Sequence, residues 1–158
     1  MQASDRYYST PLKNPDLRVA VIIALFNEDI TRSLGRAAAQ QLAELGVPKA
    51  GILQIFVPGA WELPYAAARI LSAGQADAVV ACGCVVRGET GHYDIVANES
   101  ASGLMRVGLD FKKPVMNAVL TVENFTQARA RAENDATNKG AEAARSLVEL
   151  LNAFAEPL

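Results

Sequence analysis

Four short apolar segments, each followed by a longer stretch with apolar residues at helical spacing, set what this chain can fold into. Val19 to Leu25 reads Val-Ala-Val-Ile-Ile-Ala-Leu. A run with no polar alternation is the pattern of a strand covered on both faces. Behind it, Ile30, Leu34, Ala38, Leu42 and Leu45 fall on one helical face. Asn27 can cap that helix, Glu28 and Asp29 suit its first turn, and Gly46 ends it. Gly51 to Val57 is a second strand, stopped by Pro58-Gly59, and a helix follows from about Glu62 with Leu63, Ala67, Ile70 and Leu71 inward. Ala76 to Val86 is the third strand, before a helical face of Val96, Ser100, Leu104, Val107 and Phe111. Val115 to Leu120 is the fourth. Asn124 and Gln127 have the spacing of a capping box. A last helix from about Lys139 is expected to bury Ala144, Leu147, Val148, Leu151 and Phe154.

Strands alternating with helices imply an α/β fold: a three-layer α/β/α sandwich around a four-stranded parallel sheet, joined by right-handed crossovers. The 158 residues suit one domain, expected over residues 17–158 behind a polar, flexible arm of residues 1–16. The formal charge of −2 and the lack of a basic stripe argue against nucleic acid. The apolar runs are too short to span a bilayer, and the amino terminus has no apolar signal core, so a cytoplasmic protein is expected. Cys82 and Cys84 share a strand face but lie too far apart for an unstrained disulfide, and they lack the spacing of a metal knuckle. They read as small buried thiols.

Ligands of such sheets bind beyond the carboxyl ends of the strands. That edge gathers Phe26-Asn27, then Pro58-Gly59-Ala60-Trp61-Glu62, then Arg87-Gly88-Glu89-Thr90-Gly91 leading into His92, the only histidine. A heteroaromatic ring can lie on Phe26 or Trp61 while Asn27 and Glu62 read its polar edge. Equally, Asn27 and Glu62 can serve only to cap or open helices, and the two rings can be core. The glycine turn before a helix is a site for an anion, beside a group that titrates near neutral pH. Glu89 would repel a phosphate, so backbone amides and the Thr90 hydroxyl must do the binding. Arg129, Arg131 and Lys139 supply cations further on, although composition alone makes them solvated helix charges. No Walker lysine, GxGxxG spacing, Gly-x-Ser-x-Gly elbow or cluster of metal ligands is present, which argues against nucleotide, hydrolase and metal chemistry.

The chain resembles the lumazine synthase family. The likeness is carried by Phe26-Asn27, by Val57 to Pro64, by Gly83 to Asp94, by Pro114-Val115 with Val119-Leu120-Thr121, by Gln127-Ala128 with Arg131, and by Asn138-Lys139-Gly140. It runs in order from about Val19 to Leu151. It implies a flavodoxin-like fold and 6,7-dimethyl-8-ribityllumazine synthase activity, with neither metal nor organic cofactor. By the resemblance, Phe26 would stack on the pyrimidine. Ala60, Trp61 and Glu62 would hold its polar edge and the ribityl hydroxyls, and Cys84, Val85 and Val86 would line the pocket through backbone groups. Glu89, Thr90, Arg131 and Lys139 would hold the phosphate, and His92 would move protons. It further implies a homopentamer whose sites lie between subunits, with Asn117, Arg131 and Lys139 supplied by the neighbour. Some members build an icosahedral shell.

Two stretches depart from the family's common pattern. Asn117-Ala118 stands where many members have phenylalanine-glycine, so an amide replaces an aromatic wall. Glu133 to Thr137 lacks the glycine-rich turn of shell-forming members, which favours an isolated pentamer. Two other readings stand beside the enzyme: a non-catalytic relative that stores lumazine or flavin, and an unrelated flavodoxin-like phosphate-binding module. The retained His92, Thr90 and Arg131 argue against storage, and the Phe26 and Pro58 loops argue against the module.

Overall fold

In the computed structural model, residues 10–157 are described; residues 1–9 of the expected arm lie outside them. The elements are β1 (Val19–Ala24), α1 (Glu28–Glu44), β2 (Ile52–Val57), α2 (Leu63–Ser72), β3 (Ala78–Val86), α3 (His92–Phe111), β4 (Val115–Val122), α4 (Phe125–Arg131) and α5 (Lys139–Ala153). The four strands are all parallel in the order β2-β1-β3-β4. The expected three-layer α/β/α sandwich is therefore the observed one.

Alternation along the strands sorts the core into two layers. Val19, Val21 and Ile23 of β1 pack with Leu34, Ala38 and Leu42 of α1 and Ala144, Leu147 and Val148 of α5. Ala20, Ile22 and Ala24 pack with Leu63, Ala67 and Ile70 of α2 and Leu104 and Val107 of α3. All six residues of β1 are buried, as an unbroken apolar run requires. Each fully buried Leu, Ile or Val contributes about 1.5–3 kcal/mol, so these layers make the sheet the rigid part of the molecule. Cys82 and Cys84 are free thiols buried in the α1–α5 layer, as expected.

Two residues placed in the core from periodicity alone are outside it. Phe111 ends α3 at 37% exposure, and Phe154 lies beyond α5 at 65%. Helical spacing continues past the point where the sheet stops, so these two rings at the helix ends lie beyond it. The chain before β1 is tied down from Pro11: Leu12 N–H donates to the Leu45 carbonyl at 2.7 Å, and Asn152 Nδ2 donates to the Pro11 carbonyl at 2.9 Å.

The strand order places the switch point between β1 and β3, where successive connections leave in opposite directions. The loop after β1 carries Phe26 and Asn27, and the loop after β3 carries Gly88 to His92. At the far side, β4 is an edge strand. Met116, Ala118, Leu120 and Val122 face the α1–α5 layer, which turns Asn117 and Thr121 to the other face.

Candidate active site

Beyond the sheet, the chain keeps β1 and β2 paired for two more residues. Leu25 N–H donates to the Val57 carbonyl at 2.8 Å and Phe26 N–H to that of Pro58 at 2.9 Å. This sets the Phe26 ring against the Pro58-Gly59 turn. A Cβ built on Gly59 would stand 3.0 Å from the ring and 3.3 Å from the Glu62 carboxylate. Gly59 is extended, at φ −156°, so it is the approach of ring and carboxylate, not backbone strain, that leaves no room for a larger residue.

The alternative that Phe26 and Trp61 are core does not hold, since they are 72% and 56% exposed. Neither does the capping role of Asn27. It is left-handed, at φ 58° and ψ 47°, and makes no side-chain cap. Capping needs an extended backbone that aims the side chain down the helix axis. Asn27 instead donates from Nδ2 to the Cys84 carbonyl at 2.9 Å, which ties the β1 loop to β3 across the switch point. Glu62 precedes α2 without a cap bond either. Its half-buried carboxylate stays available beside the ring. Ala60 is buried beneath it, and Val85 and Val86 are half-buried at the end of β3.

The glycine turn is open. Among the described residues, the amides of Gly88, Glu89, Thr90 and Gly91 have no hydrogen-bond partner, and nothing lies within 4 Å of a Cβ built on Gly88 or Gly91. His92 opens α3, a helix of 20 residues, so its dipole adds partial positive charge to the same spot. His92 N–H points to Thr90 Oγ1 at 3.3 Å, which leaves the hydroxyl hydrogen free to donate outward. Glu89, Thr90 and His92 are all exposed.

A brace behind this turn gave no sequence signal, because its members are ordinary surface charges until the fold joins them. Arg87 Nε bonds Glu123 Oε2 at 2.8 Å, its Nη1 lies 3.4 Å from Asp94 Oδ2, and its guanidinium stacks 4.1 Å from the Tyr93 ring centre. The guanidinium is held more firmly protonated by its bond to Glu123. It also neutralises two carboxylates that would otherwise oppose an anion.

The expected cations lie apart from these loops. Arg131 ends α4, its Nη1 donating to the Gln127 carbonyl at 3.1 Å, and Lys139 begins α5, its Nζ 2.6 Å from Glu142 Oε2. Both line a groove of about 330 Å³ along the outer edge of β4 that also includes Asn117. None of Phe26, Trp61, Glu62, Thr90 or His92 lines that groove. Asn117 Oδ1 accepts from Val119 N–H at 2.9 Å, so its amide hydrogens point away from its own strand. The structure thus assembles the residues singled out from the sequence into two groups: an aromatic, amide-rich group with the imidazole, and a cationic group on a bare sheet edge. The capping box of α4 forms on one side, Gln127 N–H donating to Asn124 Oδ1 at 2.9 Å, while Gln127 Oε1 accepts from Glu123 N–H.

The chain matches the 6,7-dimethyl-8-ribityllumazine synthase family over residues 16–155. Proteins of that name from Burkholderia vietnamiensis and Burkholderia cenocepacia are each 44% identical over 145 residues. The match covers 92% of this chain and 83% and 82% of theirs. A protein of the same name from Paraburkholderia phymatum is 45% identical over 145 residues, 92% of this chain and 82% of its own.

Proposed function

This chain belongs to the 6,7-dimethyl-8-ribityllumazine synthase family, and from that premise we propose how its residues divide the chemistry. The protein is a transferase of riboflavin biosynthesis. It condenses 5-amino-6-(D-ribitylamino)uracil with 3,4-dihydroxy-2-butanone 4-phosphate to 6,7-dimethyl-8-(D-ribityl)lumazine, phosphate and water.

The pyrimidine lies on the Phe26 ring. Asn27 fixes that loop, and Ala60, Trp61 and Glu62 read the polar edge and the ribityl hydroxyls. Backbone groups of Cys84, Val85 and Val86 form the floor. The phosphate of the second substrate sits on the Gly88 to Gly91 amides and the Thr90 hydroxyl, with Glu89 contributing its amide and turning its carboxylate out. Holding both substrates against one another supplies much of the acceleration. Attack of the pyrimidine's amine on the ketone, loss of water to an imine, departure of phosphate and ring closure each move a proton. His92 is the group placed to carry it in either direction.

Arg131 and Lys139 complete the phosphate site from a neighbouring copy, and the bidentate fork of Arg131 suits a phosphoryl group better than Lys139 does. Asn117 of the same copy offers its amide hydrogens to the pyrimidine. The working unit is a homopentamer in the cytoplasm, each chain giving its strand-end loops to one site and its β4 edge to the next. The observation that carries this reading is the run of four unbonded amides entering α3 beside an exposed imidazole, with the matching cations on a bare edge elsewhere in the chain. Mixing the protein with both substrates should release phosphate and fluorescent lumazine in equal amounts, from a species of five chain masses. Tight lumazine binding with no phosphate released would sink the assignment.

A further inference from the structure

Between the two cations runs a turn, residues 132–138, that contains no glycine and is nevertheless held at many points. Ser33 Oγ donates to the Ala132 carbonyl at 2.6 Å. Asp135 Oδ1 accepts from the amide and hydroxyl of Thr137 at 2.7 and 2.6 Å. Asn138, fully buried, donates to the Glu133 carbonyl at 2.9 Å and accepts from Gly140 N–H at 2.8 Å. Gly140 lies so close to the Leu34 backbone that a Cβ would collide with it, which fixes where α5 begins against α1.

A further bonding group reaches this turn from α5. Arg145, one and a half turns into α5 and only 8% exposed, donates from Nη2 to the Ala136 carbonyl at 2.7 Å and from Nη1 to Gln41 Oε1 of α1 at 3.0 Å. Burying a guanidinium is costly, and an apolar side chain of similar length would often serve stability as well or better. What an apolar side chain cannot do is hold a carbonyl of the turn and a side chain of α1 in one planar fork.

We propose that Arg145 is a positioning residue: its fork latches turn 132–138 to α1 and so fixes Arg131 and Lys139 relative to each other for the phosphorylated substrate. The inference rests on the reading of those two cations as phosphate ligands. Arg145 itself touches no substrate.

Steady-state kinetics on the intact assembly test it, varying each substrate at saturation of the other and using inorganic phosphate as inhibitor. Arg145→Met is expected to raise KM for the phosphorylated substrate and the phosphate inhibition constant together, each roughly tenfold or more. KM for the pyrimidine and kcat should stay within about twofold, because the chemistry lies at the other group of residues. Arg145→Lys, which keeps one donor of the fork, should recover part of the loss. Gln41→Ala removes only the α1 anchor and should shift the same two constants by a smaller factor. If Arg145→Met does not fold, Gln41→Ala decides alone. Unchanged phosphate constants in a folded variant, or equal rises in KM for both substrates, overturn the proposal. Arg131→Ala separates the layers: if it leaves the phosphate constants unchanged, the underlying reading fails; if it raises them while Arg145→Met does not, only this inference fails.

Discussion

The loops after β1, β2 and β3 and the turn between α4 and α5, to which the proposed mechanism gives complementary parts, are held by different means. At the loops, polar groups are left open: the Gly88 to Gly91 amides are unbonded and the rings of Phe26 and Trp61 face outward. At the turn, the carbonyls of Ala132, Glu133, Asp135 and Ala136 and the side chains of Asp135 and Asn138 are all bonded, and even a buried arginine is spent on a carbonyl, although among the described residues the amides of residues 133–136 stay open. Loops anchored to buried strands need little bracing beyond the Asn27 tie and the Arg87 brace, because the sheet already fixes where they begin. A turn that joins two surface helices has no such foundation and must be bonded into place. An open group on a rigid base is suited to meet ligand, and a braced one to aim long cationic side chains whose own bonds are weak.

The largest effect should come from the open side. His92→Ala is expected to lower kcat by about 10²–10⁴-fold, the usual worth of a positioned proton carrier, while both KM values change little. Rapid-quench measurement of phosphate release checks it. A fall in substrate affinity with kcat preserved would move the proton chemistry elsewhere and leave the imidazole as a binding group.

Next comes the braced side. Arg131→Ala should raise KM for the phosphorylated substrate by roughly 10–100-fold, in line with about 1.5–3 kcal/mol for a charge-assisted bond. The pyrimidine KM should hold. If mixing this variant with an Asn27→Ala or Phe26→Ala chain restores partial activity, the two groups act across a subunit boundary. No recovery in any mixture would place them in one chain.

Gly59→Ala asks how finely the open side is shaped. The extended backbone accepts alanine, so the only consequence is a methyl group pressed between the Phe26 ring and the Glu62 carboxylate. A rise of several-fold in the pyrimidine KM is expected, smaller than the loss of a stacked ring at about 1–3 kcal/mol, with the phosphate constants unmoved.

These contrasts also explain what could be read before folding. Strands covered on both faces announce themselves, as β1 and most of β3 do; the partly exposed edge strands β2 and β4 and the faces of α1 and α2 were legible from their apolar content and spacing. Phe111 and Phe154 were misplaced because periodicity does not say where the underlying sheet ends. Asn27 was legible as a special residue but not in its role, since its partner at Cys84 is 57 residues away. Phe26, Trp61 and His92 could be singled out because they follow strand ends, the edge where such sheets take ligands, and all three are exposed there. Arg145 could not: it looks like any helix charge, and its bond to Gln41 spans 104 residues. What most escapes a linear reading is bracing between distant segments, as from Asn27 to Cys84 and from Arg145 to Gln41.

The smallest effect concerns the sheet beneath both regions. Burial pushes Cys82 from its ordinary 9.0 up to about 12 and Cys84 up to about 11. Both thiols thus keep their protons in the folded chain at pH values where the unfolded chain has lost them. A raised folded value gives stability that is complete below pH 9 and is lost as pH climbs towards the folded values. Unfolding free energies from denaturant titration should therefore be unaffected by these thiols at pH 7 to 8 and decline above about pH 9, by at most about 1.4 kcal/mol per unit for each thiol. Cys82→Ala with Cys84→Ala should flatten that decline, while costing some stability at neutral pH through lost volume. The same burial should make native-state alkylation at pH 8 follow global unfolding. Rapid labelling of Cys84 in folded protein would show that the floor of the open region breathes independently of the sheet, and that the rigid base begins one layer deeper.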